Sequence, residues 1–112
     1  MKKCSFLYDN FSDRLMISCK KDSDKIVGSV GILNLILDFT SNNKIANIEL
    51  KKASDYLSSL KINPNILNNL TNAEIVFKQC RDGYLIYFLL QSGERIEKIP
   101  YNIYSQKPIL LN

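Results

Sequence analysis

The 112 residues contain no histidine, so the side chains left to do chemistry are carboxylates, hydroxyls and three cysteines. Without imidazole, a serine or cysteine nucleophile lacks its usual activating base, and zinc lacks its commonest ligand. Cys4, Cys19 and Cys80 offer no C-x-x-C pair, and the four glycines form neither a G-x-x-x-x-G-K-[ST] nor a G-x-G-x-x-G phosphate loop. Paired carboxylates remain, because Asp and Glu alone can run glycoside chemistry or hold a hard cation. Asp13, Asp38 and Glu49 are the carboxylates to weigh, with Ser54 as a neighbouring hydroxyl.

The elements that would position these groups argue for structural roles. Asp9 and Asp13 flank a polar turn where short acidic side chains bond local backbone groups, Asp38 enters the next turn, and Glu49 sits on the outward face of an alternating strand. Ser54 fits the N-cap of a short helix better than a nucleophile. The expectation is therefore no catalytic residue, no cofactor and no metal, with a carboxylate-dependent cation site or enzyme as an alternative.

Period-two alternation, the mark of half-buried strands, runs through most of the chain. Cys4, Phe6 and Tyr8 share one face, and Leu15, Ile17 and Cys19 share another after the turn, which predicts a hairpin. A charged loop over Lys20–Lys25 leads to a strand from Val30 to Phe39, whose Leu33, Leu35, Leu37 and Phe39 face the core. Thr40-Ser41-Asn42-Asn43 suits a tight turn before a strand at Ile45–Leu50. The period then becomes helical, with Ala53, Tyr56, Leu57 and Leu60 at i, i+3, i+4 and i+7. Asn63-Pro64 reads either as a cap and first position of one more helical turn to Leu70, or as plain loop.

Strands resume at Ala73–Arg81, Tyr84–Leu90 and Arg95–Tyr101, joined by turns at Asp82-Gly83 and Ser92-Gly93. Tyr84–Leu90 is apolar on both faces and belongs mid-sheet with both sides covered, while Pro100 suits the end of an edge strand. About seven strand signals against one clear helix predict a single α+β domain, mainly antiparallel, with one or two short helices on a sheet face.

Composition bounds the function classes. A chain with 46% hydrophobic and 23% charged residues suits an ordinary globular domain. The apolar stretch at Val30–Phe39 is too short to span a bilayer, and Asp9 and Asp13 interrupt the leader that Met1-Lys2-Lys3 would open, so cytoplasmic residence is expected. Each cysteine lies in an apolar run, which predicts reduced, buried thiols. The net charge of +4 is spread over fifteen basic residues in ones and twos, so weak, salt-sensitive adhesion to nucleic acid is expected and specific recognition is not.

Tyr8-Asp9, then Asp13-Arg14-Leu15, Leu37-Asp38-Phe39, Ile48-Glu49-Leu50 and Ala53-Ser54 together resemble a small prokaryotic family known as domain of unknown function 2283. The likeness covers about residues 5–57. Asn47 stands where many members carry glycine, and Met16 where the usual tyrosine follows the aspartate and leucine. From Asn63 onward the chain resembles longer, archaeal-looking versions of the family, with a further block of strands at 63–104 and an apolar tail at 105–112. Some members look like the antitoxin half of two-gene modules, which implies a protein partner.

These readings point to a non-enzymatic interaction module that self-associates as a homodimer. Tyr101, Ile103, Tyr104, Ile109, Leu110 and Leu111 are the interface candidates, since amphipathic rings and an apolar tail need cover. The tail either docks on a second subunit or closes its own sheet.

Overall fold

The computed structural model describes residues 4–42, 44–101 and 103–104. It is an α+β domain of two antiparallel sheets that share one buried core. The first sheet holds β1 (Ser5–Asp9), β2 (Arg14–Ser18), β3 (Ile26–Ile32), β4 (Leu35–Thr40) and β5 (Ile45–Lys51), in the order β1-β2-β5-β4-β3. The second holds β6 (Asn72–Cys80), β7 (Gly83–Ser92) and β8 (Arg95–Pro100), with the two-residue β9 (Ile103–Tyr104) also pairing with β7. Between the sheets in sequence lie α1 (Ala53–Ser59) and a 3-10 helix (Pro64–Asn69).

Alternation decides which side chains meet. Leu15, Ile17, Leu35, Leu37, Ile48 and Leu50 point inward from the first sheet; Ala73, Ile75, Ile86, Phe88, Leu90 and Ile99 do so from the second. Ala53 and Leu57 of α1, Ile66 and Leu67 of the 3-10 helix, and Ile45, Ala46 and Tyr101 add to the core. The Asn63 carboxamide oxygen accepts the Asn65 amide at 3.0 Å, and Pro64 takes the first helical position, which selects the capped turn over the plain loop.

Several expectations are corrected. Val30–Phe39 is a hairpin and not one strand: β3 begins at Ile26, the chain turns at Leu33-Asn34, and β4 returns. Leu33 is 92% exposed at φ 53°, the opposite of a core residue. The Asn34 side chain explains the break, because its amide donates to the Lys51 carbonyl at 2.9 Å while its oxygen accepts the Tyr101 hydroxyl at 2.6 Å. Those bonds hold the turn although leucine disfavours the left-handed conformation.

Cys4 and Cys19 are joined in a disulfide with Cα atoms 4.3 Å apart, so the expected set of reduced thiols reduces to Cys80. The hairpin register accounts for the pairing: Ser5 faces Ser18 and Phe6 faces Ile17, so one further step sets Cys4 opposite Cys19. β7 is central in its sheet as expected, but its outer side chains Leu85, Tyr87 and Leu89 are only partly covered by described residues.

Candidate functional site

Asp13 and Ser54 fall in one hydrogen-bonded group and Asp38 in another, both on or beside the first sheet. The first group forms where the β1–β2 turn meets the start of α1. Asp9 closes that turn, accepting the Phe11 amide at 3.0 Å and the Ser12 hydroxyl at 2.9 Å. Asp13 then adopts φ 56°, a conformation aspartate tolerates better than most residues. From there its carboxylate reaches across 41 residues of sequence to Ser54, Oδ1 accepting the amide at 2.9 Å and Oδ2 the hydroxyl at 2.7 Å, while Oδ1 also accepts the Tyr8 hydroxyl of the same hairpin at 2.6 Å. The Asp13 carbonyl also accepts the Ala53 amide at 3.0 Å.

Asp13 thus caps α1 from a distant hairpin. The residue at the helix N-cap is Lys52, in a left-handed conformation and with no side-chain cap of its own, so the orphan amides of the first turn need an outside acceptor. This corrects two expectations. Asp13 accepts from a distant helix and from the Tyr8 hydroxyl in place of local backbone groups, and Ser54 lies inside the first turn, donating to the capping carboxylate in place of acting as the cap.

Burial opposes the charge on Asp13, yet the bonds from Tyr8 and from the Ser54 hydroxyl and amide outweigh it and hold the carboxyl below its ordinary value. Burial and the hydrogen bond to the Asp13 carboxylate push the Tyr8 phenol up to about 12. Both shifts favour one state, an ionised Asp13 receiving a neutral Tyr8.

The second group is a ladder across four strands on the outer face of the first sheet. Register aligns Ser18, Asn47, Asp38 and Ser29 in one row. Ser18 donates to the Asn47 oxygen at 2.6 Å, the Asn47 amide donates to Asp38 Oδ2 at 3.0 Å, and Ser29 donates to Asp38 Oδ1 at 2.6 Å. Asp38 therefore lies within β4 and not at the entrance to a turn, and it is a registration device between strands. Glu49 faces outward as expected and pairs with Arg14 at 2.8 Å. Met16 lies beside Glu49 and Leu7 in the adjacent cross-strand row.

The two groups leave little free basicity. Asp13 accepts three side-chain or backbone donors and Asp38 accepts two, and a carboxylate occupied by donors is a poor general base. Among the described residues no three His, Cys, Asp or Glu groups come together as metal ligands. A cavity of about 290 Å³ near the β4–β5 turn is lined by Cys19, Lys21, Asp24, Thr40, Lys44 and Phe77, among other residues.

Among the interface candidates, Tyr101 is placed in the core. It is 7% exposed, packs its ring 5.1 Å from that of Tyr56, and ties the second sheet to Asn34 in the β3–β4 turn. Burial raises its phenol pKa, partly offset by the backbone of Asn34. The Tyr56 hydroxyl donates to the Pro100 carbonyl, strengthening the same junction. The backbones of Ile103 and Tyr104 pair with Tyr84 and Gly83, while Ile109, Leu110 and Leu111 lie outside the described residues.

The sequence marks no functional role for Asn34, Asn47 or Thr40. Asn34 was legible only as the polar break in an apolar run, and Asn47 only as the residue replacing glycine. Thr40 is 1% exposed, and its hydroxyl accepts the Asn42 and Lys44 amides at 3.3 and 3.2 Å. No protein-family model, curated protein or solved structure matches the chain.

Proposed function

We propose that this chain is a non-enzymatic interaction module that acts by self-association. The observation that carries the reading is β3: six of its seven residues are exposed, among them Val27 at 64% and Val30 at 43%. Apolar strand surface of this kind marks an interaction site in a small domain. The occupied carboxylates support the same reading, since the residues best suited to chemistry hold α1 and the strand register.

We also propose membership in the family called domain of unknown function 2283, with an antitoxin-like role for the module. The support is that three of the residues carrying the resemblance, Tyr8, Asp13 and Ser54, meet in one cluster although Ser54 lies 41 residues from Asp13. Cytoplasmic residence, expected from the sequence, is in tension with the Cys4–Cys19 bridge, because thiols in that compartment are kept reduced. Thiol trapping in protein drawn rapidly from its native cells decides between the two.

The test of function is native mass spectrometry across a dilution series at physiological ionic strength. The reading expects dimer at high concentration giving way to monomer on dilution. A monomer throughout, combined with submicromolar binding to DNA or RNA, would replace it with nucleic-acid recognition. A calcium or magnesium titration that raised the melting temperature of the wild type, but not of Asp38→Asn, would replace it with a cation site.

A further inference from the structure

Among the described strands, the four sheet edges are not alike. β8 carries Arg95, Glu97, Lys98 and Pro100, and β6 carries Glu74 and Lys78. β1 ends on Asp9 and is bridged by disulfide from Cys4. Charges, prolines and cover of these kinds keep edges from pairing with other chains. β3, Ile26-Val27-Gly28-Ser29-Val30-Gly31-Ile32, has none of them along its length.

The order of residues in β3 is self-complementary. In an antiparallel pairing of two copies centred on Ser29, Ile26 faces Ile32, Val27 faces Gly31, and Gly28 faces Val30, with the two Ser29 residues opposed on the axis. Every valine then meets a glycine. A Cβ placed on Gly28 or Gly31 would have no atom within 4 Å, so the space beside each glycine is open to the opposing valine. No charge is paired with a like charge, and Lys25 of each copy lies beyond the paired segment, opposite exposed Leu33.

We infer that β3 is the site of self-association, joining two chains edge to edge across a two-fold axis through Ser29 into one ten-stranded sheet. This rests on the interaction reading above and adds to it the surface and the register. A two-fold axis centred on a residue works whichever alternate backbone groups face outward, giving about two to four new backbone hydrogen bonds over residues 28–30, with the bulged Ile26 and Val27 of each copy facing Ile32 and Gly31 at the two ends. A seven-residue edge pairing belongs to the small, transient end of interface sizes, so a weak dimer that depends on protein concentration is expected.

The bulge between Ile26 and Gly28 fits this weakness. Bulges turn an edge away from indiscriminate pairing, and here the bulge lies at one end of β3, leaving Gly28 to Ile32 in regular register with β4.

Ser29 gives the sharpest test because it meets itself. In a single chain Ser29→Lys gains an ion pair with Asp38, whose carboxylate is 2.6 Å from the serine hydroxyl, so the fold is retained. In the dimer it sets two ammonium groups face to face, and the dissociation constant should rise at least about tenfold by sedimentation equilibrium. In a Cys80→Ser background, Ser29→Cys should form a disulfide-linked dimer under mild oxidation, whereas Gly31→Cys and the loop control Ser23→Cys should not.

A wild type that dimerises equally well as Ser29→Lys, with Ser29→Cys uncrosslinked, overturns the site while self-association stands. A wild type that stays monomeric at several hundred micromolar, with no crosslink, overturns both. Should Ser29→Lys fail to fold, the crosslinking pattern alone decides.

Discussion

Replacing Asp13 separates its two contributions, the capping carboxylate and the left-handed backbone. The carboxylate accepts the Ser54 amide, the Ser54 hydroxyl and the Tyr8 hydroxyl. Losing a capping side chain costs about 1–2 kcal/mol, with charge-assisted bonds toward the upper end. Asp13→Gly removes the side chain but accepts φ 56°, so it should lose about 2 kcal/mol. Asp13→Ala loses the same bonds and adds about 1 kcal/mol for a left-handed non-glycine residue, about 3 kcal/mol in all. Asp13→Asn keeps one acceptor oxygen and tolerates the backbone, so about 1 kcal/mol is expected. Urea unfolding followed by circular dichroism measures the series, with a drop of roughly 4 °C in Tm per kcal/mol for a chain of this length. The order Asn, Gly, Ala is the signature. Three variants all within about 0.5 kcal/mol of the wild type, the range of an ordinary surface position, would refute the capping role.

Leu33→Asn should stabilise the protein by about 0.5–1 kcal/mol by relieving a left-handed leucine that is almost wholly exposed; a loss of 2 kcal/mol or more in thermal or urea unfolding would return Leu33 to the core. Stability should fall at both pH extremes. Asp13, with its folded pKa lowered, contributes above its ordinary 3.8 and stops contributing as pH drops through the depressed value. Tyr8, raised to about 12, contributes fully below 10 and stops contributing as pH rises from 10 to about 12. Asp13→Asn should flatten the acid limb and Tyr8→Phe the alkaline one in unfolding midpoints read across pH, and unchanged limbs would count against the pair. Thiol titration of the native chain should find one free cysteine, Cys80. Reduction should lower stability by about 3 kcal/mol, the loop-closure contribution of a bridge spanning 15 residues; three free thiols before reduction would remove the bridge from the account.

Much of the fold was legible where a local pattern and its tertiary partner agree. Alternation located the β1–β2 hairpin, β5, β6, β7 and β8, the helical period located α1, and Asn63-Pro64 marked the start of the 3-10 helix. The β3–β4 hairpin was hidden because two-residue turns usually announce themselves with Asn-Gly or Asp-Gly. Leu33-Asn34 lacks the glycine, and the bonds that hold it come from Lys51 and Tyr101, far away in sequence. The Cys4–Cys19 pair was within reach of the hairpin register but lost to the habit of cysteine as a small hydrophobe.

The site was legible as a set of residues and not as an arrangement. Asp13, Asp38, Glu49 and Ser54 were named from the sequence, yet nothing local shows that Asp13 reaches α1 or that Asp38 stands in a row with Ser18, Asn47 and Ser29. Tyr101 lies in the core for a related reason. An amphipathic ring near a chain end suits a contact surface by composition, whereas its hydroxyl is satisfied inside by Asn34.

The central claim, that this chain acts by self-association through the edge of β3, is tested most directly by amide hydrogen exchange at residues 26–32 as a function of protein concentration. Dimerisation through this edge predicts protection that rises across Ile26–Ile32 as concentration passes through the micromolar range, while the edges β1 and β8 exchange at rates independent of concentration. Exchange along β3 that is unchanged from dilute to concentrated protein would contradict it.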